Sequence, residues 1–210
     1  NWMDRLAYVC HRPAFGGNIM ATIICKDYRP QMATVRPGVM TPLARDSSRS
    51  GEKIHFPVDL TEAEVNLKIA KLVEKSLIAE GYQVDLLNEF DTRLNGYRAV
   101  ALISIHNDSC EYINDEATGF KVASSLDTRD VNRAQRLTAC LVDRYQRTTQ
   151  LSYHTGSITR DMREYHAFSE IDPNTITAII ETGFLNLDRN ILTNQTELVA
   201  KGVTQGILCF

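Results

Sequence analysis

A chain of 210 residues, 43% hydrophobic and 23% charged, has the composition of an ordinary globular domain and the length to bury one sizeable core. A formal charge of −3 with no dense basic stripe argues against a nucleic-acid partner. No apolar run approaches the roughly 20 residues of a membrane helix, so membrane insertion is not expected.

The chain opens at Asn1, as a processed chain or an excised domain would. Its first apolar run, LAYVC, reads as a strand that gives way to the Gly/Pro-rich HRPAFGGN. Residues 26–53 differ in kind, with three prolines, several Ser and Thr and little periodicity. They read as an irregular insertion in a single domain spanning 1–210, either functional or a packed surface loop. From Leu60 the pattern becomes helical: Val65, Ile69, Leu72, Val73 and Leu77 recur on one face, and Gly81 supplies the stop. Thr61 and Glu64 form a T-x-x-E capping box at the start of this helix.

YQVDLL then reads as a short strand, AVALISI as a buried one, and TGFKVASS as a further candidate. DVNRAQRLTACLVDRYQRTTQ is an amphipathic helix, TITAIIETGF a buried strand, and TELVAKGVTQGILCF a closing helix with two internal glycines. Strands alternating with helices predict an α/β fold with a mainly parallel twisted sheet covered on both faces. Cys10, Cys25, Cys110, Cys140 and Cys209 show no C-x-x-C pair and read as buried free thiols.

In such sheets functional groups collect at the carboxyl ends of strands, where His106 and Glu181 both fall. His106 reads either as a metal ligand, with Asp108 orienting its ring, or as hydrogen-bonded scaffolding. Glu181 follows the apolar run Ala178–Ile180, so burial would raise its pKa and suit it to general-base work; a capping or ion-paired role is the alternative. Glu64 is either a cap or a carboxylate ligand. His11 ends the first apolar run as His106 ends its own, and His55 lies nine residues before Glu64. His154 and His166 occupy a polar stretch and read as surface or substrate-edge residues. Two histidines and a glutamate make the three-ligand set of a catalytic zinc, and a separate glutamate can take a proton from water.

The stretches EAEVNLKIAKLVEKSLIAEGYQVDLL, ALISIHNDSC, TGFKVASS and AIIETGFLNLDRNILTNQTELVAKGVTQGI resemble the zinc-dependent N-acetylmuramoyl-L-alanine amidases of bacterial cell-wall turnover. The resemblance covers residues 55–210 and implies a catalytic domain with about six strands. It implies zinc as cofactor, with Glu64 and His106 as ligands and Glu181 as the catalytic glutamate. The family's first ligand sits in a GHGG block whose best counterpart here is His11 in YVCHRPAFGGN, with His55 as the rival. The implied substrate is peptidoglycan or a muropeptide, cut between N-acetylmuramic acid and L-alanine, and the implied location is the cell envelope. Two other functions stay open: a degenerate domain that binds peptidoglycan or a partner without cutting, and a zinc hydrolase of soluble peptides or acyl-amino acids.

Overall fold

The computed structural model describes residues 8–14, 19–25 and 62–210. The chain divides into two compact units, Asn1–His55 and Phe56–Phe210. The expected insertion at 26–53 and the capping role of Thr61 lie outside the described residues.

In the first unit, β1 (Tyr8–Ala14) pairs antiparallel with β2 (Ile19–Cys25), from Tyr8 opposite Cys25 to Ala14 opposite Ile19. The strand therefore runs through His11, Arg12 and Pro13 instead of stopping at Cys10. In a two-stranded ribbon each strand has a free edge, which is where a proline without an N–H is tolerated.

The second unit begins with α1 (Glu62–Ala79), whose Val65, Ile69, Val73 and Leu77 are buried. It ends in a Schellman turn: Gly81 has φ +88, its N–H donates to the carbonyl of Ile78, and that of Tyr82 donates to Leu77. Residues 82–87, expected as a strand, join no ladder among the described residues, and Tyr82 is exposed.

The sheet has the order β3 (Ala101–Asp108), β5 (Ile176–Phe184), β4 (Lys121–Ala123). β3 runs parallel to β5, and β4 is antiparallel to it. The architecture is thus mixed α/β with a small sheet: three strands are described in this unit where about six were expected, and one of them is antiparallel. β5 alternates between two apolar clusters. Ile176, Ala178 and Ile180 pack into the main core with α1, α2 (Val131–Thr149) and α6 (Thr196–Cys209), while Ile179 packs with Ala123 and Met162 on the other face. Met162 belongs to α3 (Arg160–Arg163), so helical segments cover both faces of the strand.

α2 starts at Asp130, whose carboxylate accepts the N–H of Arg133 at 3.0 Å. Leu137, Leu141 and Tyr145 are fully buried, each side chain contributing about 1.5–3 kcal/mol. The two internal glycines of α6 explain how closely it meets α2: a Cβ on Gly202 would lie 2.9 Å from Tyr145 Cδ2, and one on Gly206 would lie 2.8 Å from the Leu141 backbone. Cys140 and Cys209 clamp the same helix pair with a disulfide, correcting the expectation of free thiols, whereas Cys110 is free and exposed. Closing a loop of this length stabilises the fold by roughly 4 kcal/mol in the chain-entropy view.

Candidate active site

Two elements bring the site together. Register sets His106 on β3 directly opposite Glu181 on β5, and Lys121 on β4 opposite Glu181 from the other side. Side chains facing each other across a ladder share a face, so the three lie in a row. Past His106 the register shifts and Asp108 comes opposite Phe184. Asp108 there forms an ion pair with the buried Lys121, whose ammonium also lies 5.1 Å from the centre of the Phe184 ring. Asp108 is therefore engaged with Lys121, and the described ring partners of His106 are others.

Those partners are Glu62 and Tyr165. His106 Nδ1 is 3.3 Å from Glu62 Oε1, and Nε2 is 3.2 Å from the Tyr165 hydroxyl. Glu62 also accepts from Asn66 Nδ2 at 3.2 Å. Asn66 accepts in turn from the amide of the buried Asn107, and the Thr182 hydroxyl donates to Asn107. This chain of hydrogen bonds ties the first turn of α1 to the ends of β3 and β5. Tyr145 fixes the same place from below, its hydroxyl donating to the Thr182 carbonyl at 2.6 Å. The carboxylate of buried Asp188 accepts the N–H groups of Gly119 at 2.8 Å and Phe184 at 2.9 Å.

Glu64, expected as a ligand, is exposed. At about 100° per residue, Glu62 lies in line with the buried stripe of Val65, Ile69 and Val73, and Glu64 falls on the far side of the helix. Sequence reasoning missed Glu62, although that arithmetic was available. It also missed Tyr165, for which spacing gives no signal. The expected ligand roles of His11 and His55 fall outside the described residues: His11 is placed only as a backbone position on β1 opposite Thr22. His154 contacts Ser157 Oγ at 2.6 Å. His166 contacts Glu170 at 2.8 Å and stacks on the exposed Phe90, with ring centres 4.8 Å apart.

The three central groups differ in protonation. Its hydrogen bond to His106 holds the Glu62 carboxyl below the usual range, against the opposing effect of burial. Burial works against a charged His106, but Glu62, Glu181 and Glu89 together outweigh it and push the imidazole up. Burial pushes Glu181 up to about 7; nearby His106 and Lys121 oppose the rise, and Asp108 and Glu62 add to it. Glu181 Oε2 is buried without a hydrogen-bond partner. A cleft of about 470 Å³ opens beside this cluster, lined by Glu62, Asn66, Leu67, Leu87, Glu89 and His106. No group of three metal-binding side chains occurs among the described residues. Glu62 and His106 are nevertheless a donor pair that suits zinc, converging at 3.3 Å, and the orphaned Glu181 oxygen stands where a polar partner is required.

Residues 44–209 match the family model of the N-acetylmuramoyl-L-alanine amidases, and residues 3–61 match that of the electron transfer flavoprotein domain. The second match has curated relatives. The electron transfer flavoprotein subunit alpha of Thermoanaerobacterium thermosaccharolyticum is 47% identical over 89 residues, which is 42% of this chain and 26% of that protein. That of Clostridium acetobutylicum is 51% identical over 65 residues, 30% of this chain and 19% of that protein. The chain thus spans about a quarter or less of the length of these relatives. Among solved structures, the N-acetylmuramoyl-L-alanine amidase of Clostridium difficile 630 is similar with a TM-score of 0.52 at 20% identity, over 70% of this chain and 82% of that one. The corresponding enzyme of Mycobacterium smegmatis gives 0.52 at 15% identity, over 70% and 75%. At these identities the likeness is one of fold.

Proposed function

Because the chain belongs to the N-acetylmuramoyl-L-alanine amidase family, we propose that it hydrolyses the amide between N-acetylmuramic acid and L-alanine in peptidoglycan with zinc as cofactor. The observation that carries this is the buried, unpartnered Glu181 oxygen beside the His106–Glu62 pair. Glu62 and His106 would hold the zinc. The amidase match begins at residue 44, so it takes in His55 and leaves out His11, the ligand favoured by motif. Bound there, zinc supplies Lewis acidity for the scissile carbonyl and for the attacking water.

The chain's own residues do the rest. Glu181, held near neutrality by burial, takes the proton from water in its ionised form and returns it to the departing amine of L-alanine. Lys121 lies opposite it and favours the ionised state, so the base is available at physiological pH. Asn66, Asn107 and Thr182 keep the helix and strand ends in register while the proton moves. The cleft flanked by Leu67 and Leu87 receives the substrate. The Cys140–Cys209 disulfide suits an oxidising compartment, and no helix among the described residues is long and apolar enough to cross a membrane. Both are compatible with work in the cell envelope.

One observation favours a second reading, a domain that binds peptidoglycan without cutting it. The stretch around His11 falls within the electron transfer flavoprotein match, which gives its Gly/Pro motif an origin unrelated to zinc. Zinc content and release of muropeptide amines from purified peptidoglycan test both readings. The amidase reading expects about one zinc per chain and turnover abolished by a chelator and restored by zinc. Peptidoglycan binding with neither zinc nor turnover would leave the second reading standing.

A further inference from the structure

Loop 82–91 lines the cleft with Leu86, Leu87, Asn88 and Glu89, and the next residue, Phe90, is 76% exposed, more than any other large apolar side chain among the described residues. Its ring is nevertheless held. Phe90 stacks on His166 with ring centres 4.8 Å apart and planes 20° from parallel. Two carboxylates flank that imidazole: Glu170 Oε1 is 2.8 Å from Nδ1, and Glu89 Oε1 is 3.9 Å from Nε2. His166 opens α4 (His166–Glu170), whose Glu170 carbonyl accepts the N–H of Gly96 at 2.8 Å and so ties α4 to the chain just past Phe90. Asp91 fixes the backbone between them, its carboxylate accepting the N–H of Arg93 at 2.9 Å. One face of the phenyl ring is therefore covered by His166, and the opposite face is open to solvent.

The face of an aromatic ring carries negative charge density and attracts weakly positive C–H groups laid flat against it. A pyranose ring presents such a surface, with its hydroxyls around the border. Beside Phe90 the side chains of Asn88 and Glu89 offer the acceptors and donors those hydroxyls require. The rings of Phe90, His166, Tyr165 and His106 follow one another with centres 4.8, 4.5 and 5.2 Å apart, a reach on the order of one disaccharide unit. Resting on the amidase reading of the site, we infer that Phe90 is a specificity-determining residue, whose open ring face receives a sugar of the glycan strand and so brings the attached amide to His106 and Glu181. Phe90 touches the substrate away from the reacting atoms, so its effect falls on binding. The stack on His166 holds the ring in place before the sugar arrives, which lowers the ordering cost of binding.

Two substrates separate sugar recognition from amide cleavage: a disaccharide–peptide, and the same peptide carrying only the lactyl group on its L-alanine. Both are turned over by the full chain with zinc supplied, and their binding is measured by calorimetry. The wild type should bind the disaccharide–peptide more tightly. Phe90→Leu, at an exposed position that does not threaten folding, should raise KM for the disaccharide–peptide about 3- to 10-fold with little change in kcat. It should match the wild type on the lactyl peptide, and Phe90→Trp, which keeps a flat ring, should restore KM. Unchanged KM in Phe90→Leu, or equal losses on both substrates, would overturn the inference alone. A wild type that binds the disaccharide–peptide without cutting it defeats the amidase reading; weaker binding by Phe90→Leu would then still support the sugar contact, and unchanged binding would overturn it. A wild type that neither binds nor cuts defeats both.

Discussion

Glu62 and Glu181 are two carboxylates close to one histidine, and their surroundings sort them into different chemistry. Glu62 sits in the first turn of an exposed helix end, its side chain 48% accessible, and hydrogen bonds to His106 and Asn66 keep it ionised. Glu181 sits in the middle strand of the sheet, buried, with one oxygen unpartnered and its pKa near 7. The first environment favours a permanent anion, as a carboxylate that holds a metal must be. The second favours a group that changes charge near neutral pH, which a general base must do. Side-chain type does not distinguish them; hydration and hydrogen bonding do.

The sharpest way to break this contrast is to remove the proton acceptor and keep its shape. Glu181→Gln should lose about 10²- to 10⁴-fold in peptidoglycan turnover while still binding zinc. A fully active variant would reject the assignment. At the helix end, Glu62→Ala should lose zinc and Glu64→Ala should keep it, measured as metal per chain after dialysis. The opposite pattern would return the ligand role to Glu64.

The same contrast has a stability signature in the metal-free protein. Between 4.5 and about 7 the folded chain holds the Glu181 proton and the unfolded chain has released it. Stability from this group is therefore fully present below pH 4.5 and falls by about 3 kcal/mol as pH rises past 7. Urea unfolding at a series of pH values should show Glu181→Gln less sensitive than the parent over that window, and relatively more stable above it. Equal slopes would mean that Glu181 is not desolvated. The smallest effect is expected from Lys121→Met, which removes a cation that stabilises the ionised base. The acid limb of the kcat/KM profile should move to higher pH, and a profile moved to lower pH would contradict the electrostatics.

Long periodic elements were legible from residues alone. α1, α2 and α6 carry apolar residues at helical spacing, and β3 and β5 are short apolar runs that end in His106 and Glu181. That both residues end strands of a mainly parallel sheet was readable, whereas the pairing of β3 with β5 and the register that sets His106 opposite Glu181 come from the structure. Residues 82–87 alternate as a half-buried strand does, but a strand needs a neighbour with free backbone groups, which local sequence does not report. The orientation of β4 is likewise set by its pairing with β5. Cys140 and Cys209 stand 69 residues apart, and nothing in their spacing predicts that two packed helices bring them together. Glu64 was favoured by motif spacing, whereas helical angle points to Glu62. Tyr165 reaches His106 through tertiary folding across 59 residues, so no local pattern could have found it.

The central position of β5 bears on how the base is exposed to accident. Its backbone is hydrogen-bonded to a neighbour on each side at Glu181, and its apolar residues are buried on both faces. Amide hydrogens in such a strand exchange with solvent only through openings that approach global unfolding, whereas those in the first turn of α1 exchange through local fraying. On the proposed assignment, the general base would ride on the part of the unit expected to exchange slowest, and the carboxylate proposed to face the metal on a part expected to exchange faster. Local breathing at the mouth of the cleft can loosen the Glu62 side of the site while the base stays in place.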